Sequence, residues 1–158
     1  MTDPSQEDGF VLSATRRSLP IALLRAREKV MERFRPLLTK HGVTEQQWRV
    51  IRALDEAPGI DMGALAEAAN ILPPSLSRMT KGLEERGLIE TRRTPGDGRR
   101  ASLRLTDKGA ALIRDVAPES AAIRAEIEAK LGAARLTALL DQLDALQAAL
   151  DEDTPRDG

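Results

Sequence analysis

Between Leu88 and Thr106 the chain reads LIETRRTPGDGRRASLRLT, the one stretch in which two short alternating runs flank a Pro-Gly-Asp-Gly turn. Alternation around such a turn specifies a β-hairpin. Residues on both sides recur at helical spacing instead. The chain therefore has to fold as a helical body that carries one small β-appendage. That appendage is heavily basic, with five arginines at 92, 93, 99, 100 and 104. Yet the formal net charge of the 158-residue chain is only −1. The segment Pro73 to Arg104 has eight basic residues against four acidic ones, a local charge of +4, whereas Leu105 to the C-terminus carries −5. A basic segment in a neutral chain fits a surface for an anionic partner. Charge alone fits a solvated face equally well.

The helical body divides at recognisable caps. Ser18 is expected to cap a first helix, with Pro20 in its first turn, a kink at Pro36 and an end at His41-Gly42. Thr44 with Gln47 forms a capping box that opens a second helix, with Trp48, Ile51 and Leu54 inward, and Gly59 stops it. Asp61 caps a short third helix. The turn NILPP leads to a fourth, PSLSRMTKGLEERG, closed by Gly87. After the hairpin, Thr106 caps a long helix with a kink at Pro118. A break near Gly132 precedes a last helix whose stripe is Leu136, Leu139, Leu140, Leu143, Leu146 and Leu150. With two Phe, one Trp and no Tyr, the apolar surface comes from Ala and Leu, both helix formers. The fold class is mostly α with a small β-wing. The chain divides into a flexible tail (1–17), a helical dimerisation region (18–43 and 106–150), a winged helix-turn-helix lobe (44–105) and a C-terminal tail (151–158).

Several functions are excluded by what the chain lacks. There is no Cys, and His41 is the single histidine, which removes thiolate metal sites, histidine clusters and His-dependent triads. No phosphate loop is present, so no enzyme, cofactor or metal is expected. The acidic start MTDPSQEDG lacks the features of a signal peptide, and no apolar run reaches the ~20 residues of a membrane span. A cytoplasmic protein with no membrane partner is the expectation.

The fourth helix places Leu76, Met79, Thr80 and Leu83 on one face and Ser75, Arg78, Lys81, Gly82 and Glu85 on the other. A short helix, a tight turn and a helix with small hydroxyls and cations on its free face suit a helix-turn-helix. Its second helix must enter a major groove about 12 Å wide. Ser75 and Ser77 are small, and Arg78 and Lys81 can reach bases or phosphates. A wing beside such a helix lies over the neighbouring minor groove, where arginine suits the negative potential. Arg93, Arg99 and Arg100 are the wing contacts expected there, with Asp97 able to hold an arginine extended.

At this point LEERGLIETRRTPGDGRRASLRLTDKG resembles the wing of MarR-family transcription regulators, through Asp97, Arg99, Leu105-Thr106, Asp107 and Gly109. IALLRAREKVMERFRP and HGVTEQQWRVIR are similar to the subgroup that represses homoprotocatechuate (3,4-dihydroxyphenylacetate) degradation operons. The resemblance spans Leu19 to Leu150 and implies a homodimer whose first, fifth and sixth helices interdigitate, with two lobes straddling a palindromic double-stranded operator. It also implies release from DNA by a small phenolic acid bound between dimer base and lobe. An aromatic acid needs a cation or hydroxyl for its carboxylate and an apolar slot for its ring. Ser18, Arg16, Arg25, His41, Trp48 and Arg49 are the candidates. Trp48 fits a core position as well, His41 a helix end, and the arginines a solvated surface. A regulator for a hydroxycinnamate or protocatechuate, or a helical interaction module that binds no DNA, are the alternatives.

Overall fold

The computed structural model describes residues 15–93, 96 and 101–152 of the chain. A 3-10 turn at Thr15–Arg17 leads into helix α1 (Leu19–Lys40). Then come α2 (Glu45–Glu56), strand β1 (Ile60–Asp61), α3 (Met62–Ala69), α4 (Pro73–Glu85), β2 (Ile89–Arg93), β3 (Ala101–Leu105), α5 (Asp107–Leu131) and α6 (Ala133–Glu152). Every helix expected from the sequence is present, and both α1 and α5 continue through their internal prolines, Pro36 and Pro118.

The caps account for most helix starts. The Thr44 hydroxyl accepts the Gln47 N–H at 3.1 Å while the Gln47 side chain accepts the Thr44 N–H at 3.0 Å, the reciprocal box that satisfies two otherwise free donors. Asp61 accepts from the Ala64 N–H at 2.8 Å, and Thr106 accepts from the Gly109 N–H at 3.1 Å. Ser18 departs from the expectation. It occupies the N-cap position, but its side chain makes no capping bond, and Pro20 inside the first turn removes one of the donors a cap would serve.

The sheet has three strands rather than two, in the order β1-β3-β2, all antiparallel. Ile89 pairs with Leu105 and Arg93 with Ala101 across the hairpin, while Ile60 pairs with Leu103 on the other edge. At two residues, β1 is too short to display a period in the sequence. Beneath this sheet, Val50, Ile51 and Leu54 of α2 meet Leu65 of α3, Leu76 and Leu83 of α4, and Leu103 of β3, all at most 1% exposed. Seven side chains of this size, each contributing about 1.5–3 kcal/mol on burial, give the lobe its own core. No helix among the described residues is long and apolar enough to cross a membrane.

The outer helices are different. α5 buries Gly109, Val116 and Ser120, and α6 buries nothing. Within the chain α6 packs on α5, leaving Leu139 and Leu140 about half exposed. Leu19, Leu23, Leu24 and Val30 along the first half of α1 are also exposed.

α5 is seated tightly where it enters the lobe. The Thr106 hydroxyl donates to the Gly87 carbonyl at 2.5 Å, and the Thr106 N–H donates to the Leu88 carbonyl at 3.1 Å. Gly109 lies so close above that a Cβ there would stand 2.2 Å from the Leu88 carbonyl oxygen. Only glycine fits this first turn without displacing backbone.

Candidate nucleic-acid interface and effector cavity

α4 presents its free face as expected. Leu76, Thr80 and Leu83 are buried, and the Thr80 hydroxyl, deep in the helix, donates to the Ser77 carbonyl at 3.1 Å. Ser77, Arg78 and Lys81 are exposed, while Ser75 is half-buried. Pro73 and Pro74 occupy the first two positions and carry no N–H, so Ser75 is left as the backbone donor of that turn. Side chains rather than the helix end therefore have to supply most contacts on this surface.

A cleft of about 490 Å³ runs between α4 and the wing, lined by Ser77 and Lys81 on one side and Arg93 on the other. The Thr91 hydroxyl donates to the Glu84 carboxylate across its floor, which ties β2 to α4 and fixes the wing's angle. Three cation-bearing or hydroxyl positions inferred separately thus share one groove. Arg93 ends β2 and is exposed, as is Arg92, whose guanidinium pairs with Glu90 at 3.2 Å. Asp97, Arg99 and Arg100 lie outside the described residues.

A second concavity, about 240 Å³, opens between α1, α2 and α5. Met31, Phe34 and Leu38 of α1 with Trp48 of α2 form its apolar wall. Around them stand Arg27, Arg49, Arg52 and Arg124, one carboxylate, Glu45, and the hydroxyl of Ser120. Each helix contributes along one face: 27, 31, 34 and 38; 45, 48, 49 and 52; 120 and 124. These are the spacings of neighbours on a helix surface. Trp48 thus both packs against the lobe core and lines the cavity.

The cations of this cavity are not equivalent. Arg27 is ion-paired with Glu45, whose carboxylate also lies 3.6 Å from Arg35. Arg52 pairs with Glu56 at 3.2 Å. Arg49 reaches Glu45 only at 3.9 Å, and its Nε is buried without a hydrogen-bond partner. Burial first, and then the neighbouring Arg27 guanidinium, holds Arg49 below the ordinary arginine value. It remains a cation at neutral pH, because an arginine starts so far above it. A buried donor lacking an acceptor on an apolar wall is suited to a ligand carboxylate.

Of the six effector-binding residues expected from the sequence, the cavity brings together Trp48 and Arg49. Ser18 and Arg25 stand elsewhere on α1 and at its start, and the side chain of Arg16 lies outside the described residues. His41 caps the end of α1 through its backbone N–H, and its ring lies 3.4 Å from Glu119. Arg27, Glu45, Arg52, Ser120 and Arg124 line the cavity in addition to the residues expected from the sequence. Arg52 was within reach, since it stands four residues after Trp48 on the same face. Ser120 and Arg124 become visible only once α5 lies against α1 and α2.

Comparison with known proteins identifies the family. Residues 41–100 match the model of the MarR family. The homoprotocatechuate degradative operon repressor of Escherichia coli is 40% identical over 143 residues, covering 89% of this chain and 97% of that protein. Among solved structures, NadR in complex with 4-hydroxyphenylacetate superposes with a TM-score of 0.75 at 36% identity, covering 87% of this chain and 97% of NadR. The repressor CouR bound to a 23-mer DNA duplex gives 0.77 at 32% identity, over 87% of this chain and 99% of CouR. Identity of this degree across nearly the whole length of both proteins shows that this chain belongs to the MarR family of transcription regulators.

Proposed function

We propose that this protein is a ligand-responsive repressor of an aromatic-acid catabolic operon of the homoprotocatechuate type. It binds a palindromic operator as a cytoplasmic homodimer and is released by an aromatic acid. The observation that carries this reading is the pairing, in one MarR-family chain, of a basic groove between helix and wing with an arginine-lined apolar cavity behind it. Ser75, Ser77, Arg78 and Lys81 of α4 position on and read the major groove, and Arg93, Arg99 and Arg100 of the wing engage the minor groove and phosphates, with Asp97 orienting the tip. Repressors similar to this chain include one for homoprotocatechuate degradation, and NadR binds 4-hydroxyphenylacetate. Residues 18–43 and 106–150 form the dimerisation region, since the exposed leucines of α1 and α6 gain a partner there.

Coupling follows from where α2 sits. One face of α2 lines the cavity with Glu45, Trp48, Arg49 and Arg52, while another packs on α3 and β3 of the lobe. An acid whose ring lies on Trp48 and whose carboxylate meets Arg49 pulls α2 toward α1 and α5, and the lobe moves with it. Release requires that the acid bind this arrangement more tightly than the DNA-bound one. The DNA half of the reading is tested by Lys81→Ala and Arg93→Ala. Each should weaken operator binding at all sequences and lower the slope of log affinity against log salt by about 1. Unchanged slopes in both variants would remove this groove from the DNA contact.

A further inference from the structure

The charges around the cavity specify more than an aromatic monoacid. Among the described residues, four guanidinium groups line it against the one carboxylate of Glu45. Two are neutralised inside the protein, Arg27 by Glu45 and Arg52 by Glu56. The other two are less satisfied. Arg49 on α2 reaches Glu45 only at 3.9 Å and keeps a buried Nε without an acceptor, and among the described residues no carboxylate pairs with Arg124 on α5. The two come from different helices and line one cavity with Met31, Phe34 and Trp48.

A hydroxyphenylacetate matches only half of this. Its carboxylate is charged at neutral pH, but a phenol titrates near 10, as tyrosine does, so its second polar group reaches the cavity neutral. It occupies one guanidinium and leaves the other without a counter-ion. Arginine's planar fork is suited to a second carboxylate, which it can bind through two parallel hydrogen bonds.

Resting on the proposed effector role of this cavity, we infer that the preferred effector is an aromatic acid bearing two anionic groups, one held by Arg49 and the other by Arg124. The ring lies between them on Trp48 and Phe34. Ser120, one turn before Arg124 on the same face of α5, adds a hydroxyl beside the second carboxylate. The chemical class is a benzene ring with two carboxyl-bearing substituents, as the product of a ring-carboxylating or side-chain-oxidising reaction would be.

Titration calorimetry on the full-length protein separates this inference from the reading beneath it. The probes are 4-carboxyphenylacetate and 2-carboxyphenylacetate, with phenylacetate and 4-hydroxyphenylacetate as single-charge counterparts, against the natural protein, Arg124→Gln and Trp48→Ala. At least one dicarboxylate should bind about tenfold or more tightly than phenylacetate, the increment of one added charge-assisted pair. Arg124→Gln should abolish that margin, bringing the dicarboxylates to within about twofold of phenylacetate in the same variant. Monoacids that bind as tightly as both dicarboxylates, or a margin that survives Arg124→Gln, would overturn the two-anion inference. If those monoacids still lose binding in Trp48→Ala, the effector cavity itself stands. Absence of binding by all four acids would overturn the cavity reading and this inference together.

Discussion

The winged lobe and the helices that flank it are built from the same apolar alphabet, chiefly leucine and alanine, but they use it in opposite ways. Leu65, Leu76, Leu83 and Leu103 of the lobe are at most 1% exposed, whereas Leu139 and Leu140 of α6 are about half exposed and α6 buries no residue. The lobe closes its core with elements of one chain: three helices against a small sheet. The outer helices hold an unfinished surface. One region thus covers its leucines within this chain, and the other leaves leucines exposed that the proposed dimer would cover. Leucine at helical spacing identifies an apolar face, but it does not say from which chain the partner comes.

The largest expected effects break this contrast directly. Leu83→Ala removes a fully buried side chain and should cost about 2–5 kcal/mol in chemical denaturation. Leu140→Asp should leave the lobe folded by near-native circular dichroism but shift sedimentation from dimer to monomer. A Leu140→Asp protein that remains dimeric would mean that α6 meets no second copy at this position.

Gly109→Ala addresses the junction between the two regions. Alanine favours helix over glycine by about 1 kcal/mol, which on propensity alone predicts a gain. The Leu88 carbonyl oxygen 2.2 Å from the new Cβ predicts the reverse, because it belongs to backbone that Thr106 already pins. Overpacking of this kind costs about 1–3 kcal/mol, so a net loss is expected in thermal unfolding. A stabilised variant would show that α5 can pivot freely on the lobe.

A smaller effect lies on the body itself, where Glu119 of α5 meets the Lys40 ammonium at 2.9 Å and the His41 ring at 3.4 Å. The hydrogen bond from Lys40 first, and His41 after it, holds this carboxyl below its ordinary value of 4.5. A lowered folded value stabilises above the unfolded one and is lost as pH falls through the folded one. Glu119→Gln should therefore lower Tm slightly at pH 7, with the gap to the natural protein closing below about pH 4. Because the group is solvent-exposed, the shift is small. A gap independent of pH would assign the loss to packing rather than charge.

How much of this was legible in the sequence follows from the same contrast. The caps at Thr44, Asp61 and Thr106 are local, and each forms with the partner its spacing implies. Ser18 has the right residue type at the right position, yet makes no side-chain cap, since residue type does not fix a rotamer. The two hairpin strands are legible as alternating runs, but β1 is not, because two residues cannot show alternation. The cavity was the least legible feature. Trp48 and Arg49 adjoin in sequence, but Arg27 and Arg124 are separated by most of the chain and meet only through the packing of α1 on α5.

The most direct test of the account is a titration of the full-length protein against the DNA upstream of its own coding sequence, at low and high salt. Each titration is repeated with 3,4-dihydroxyphenylacetate or 4-carboxyphenylacetate, and in Arg49→Gln. Tight, salt-sensitive binding is expected, which an aromatic acid releases in the natural protein and fails to release in Arg49→Gln. Release that survives in Arg49→Gln would contradict the assignment of the effector to this cavity, and absence of DNA binding even at low salt would contradict the repressor itself.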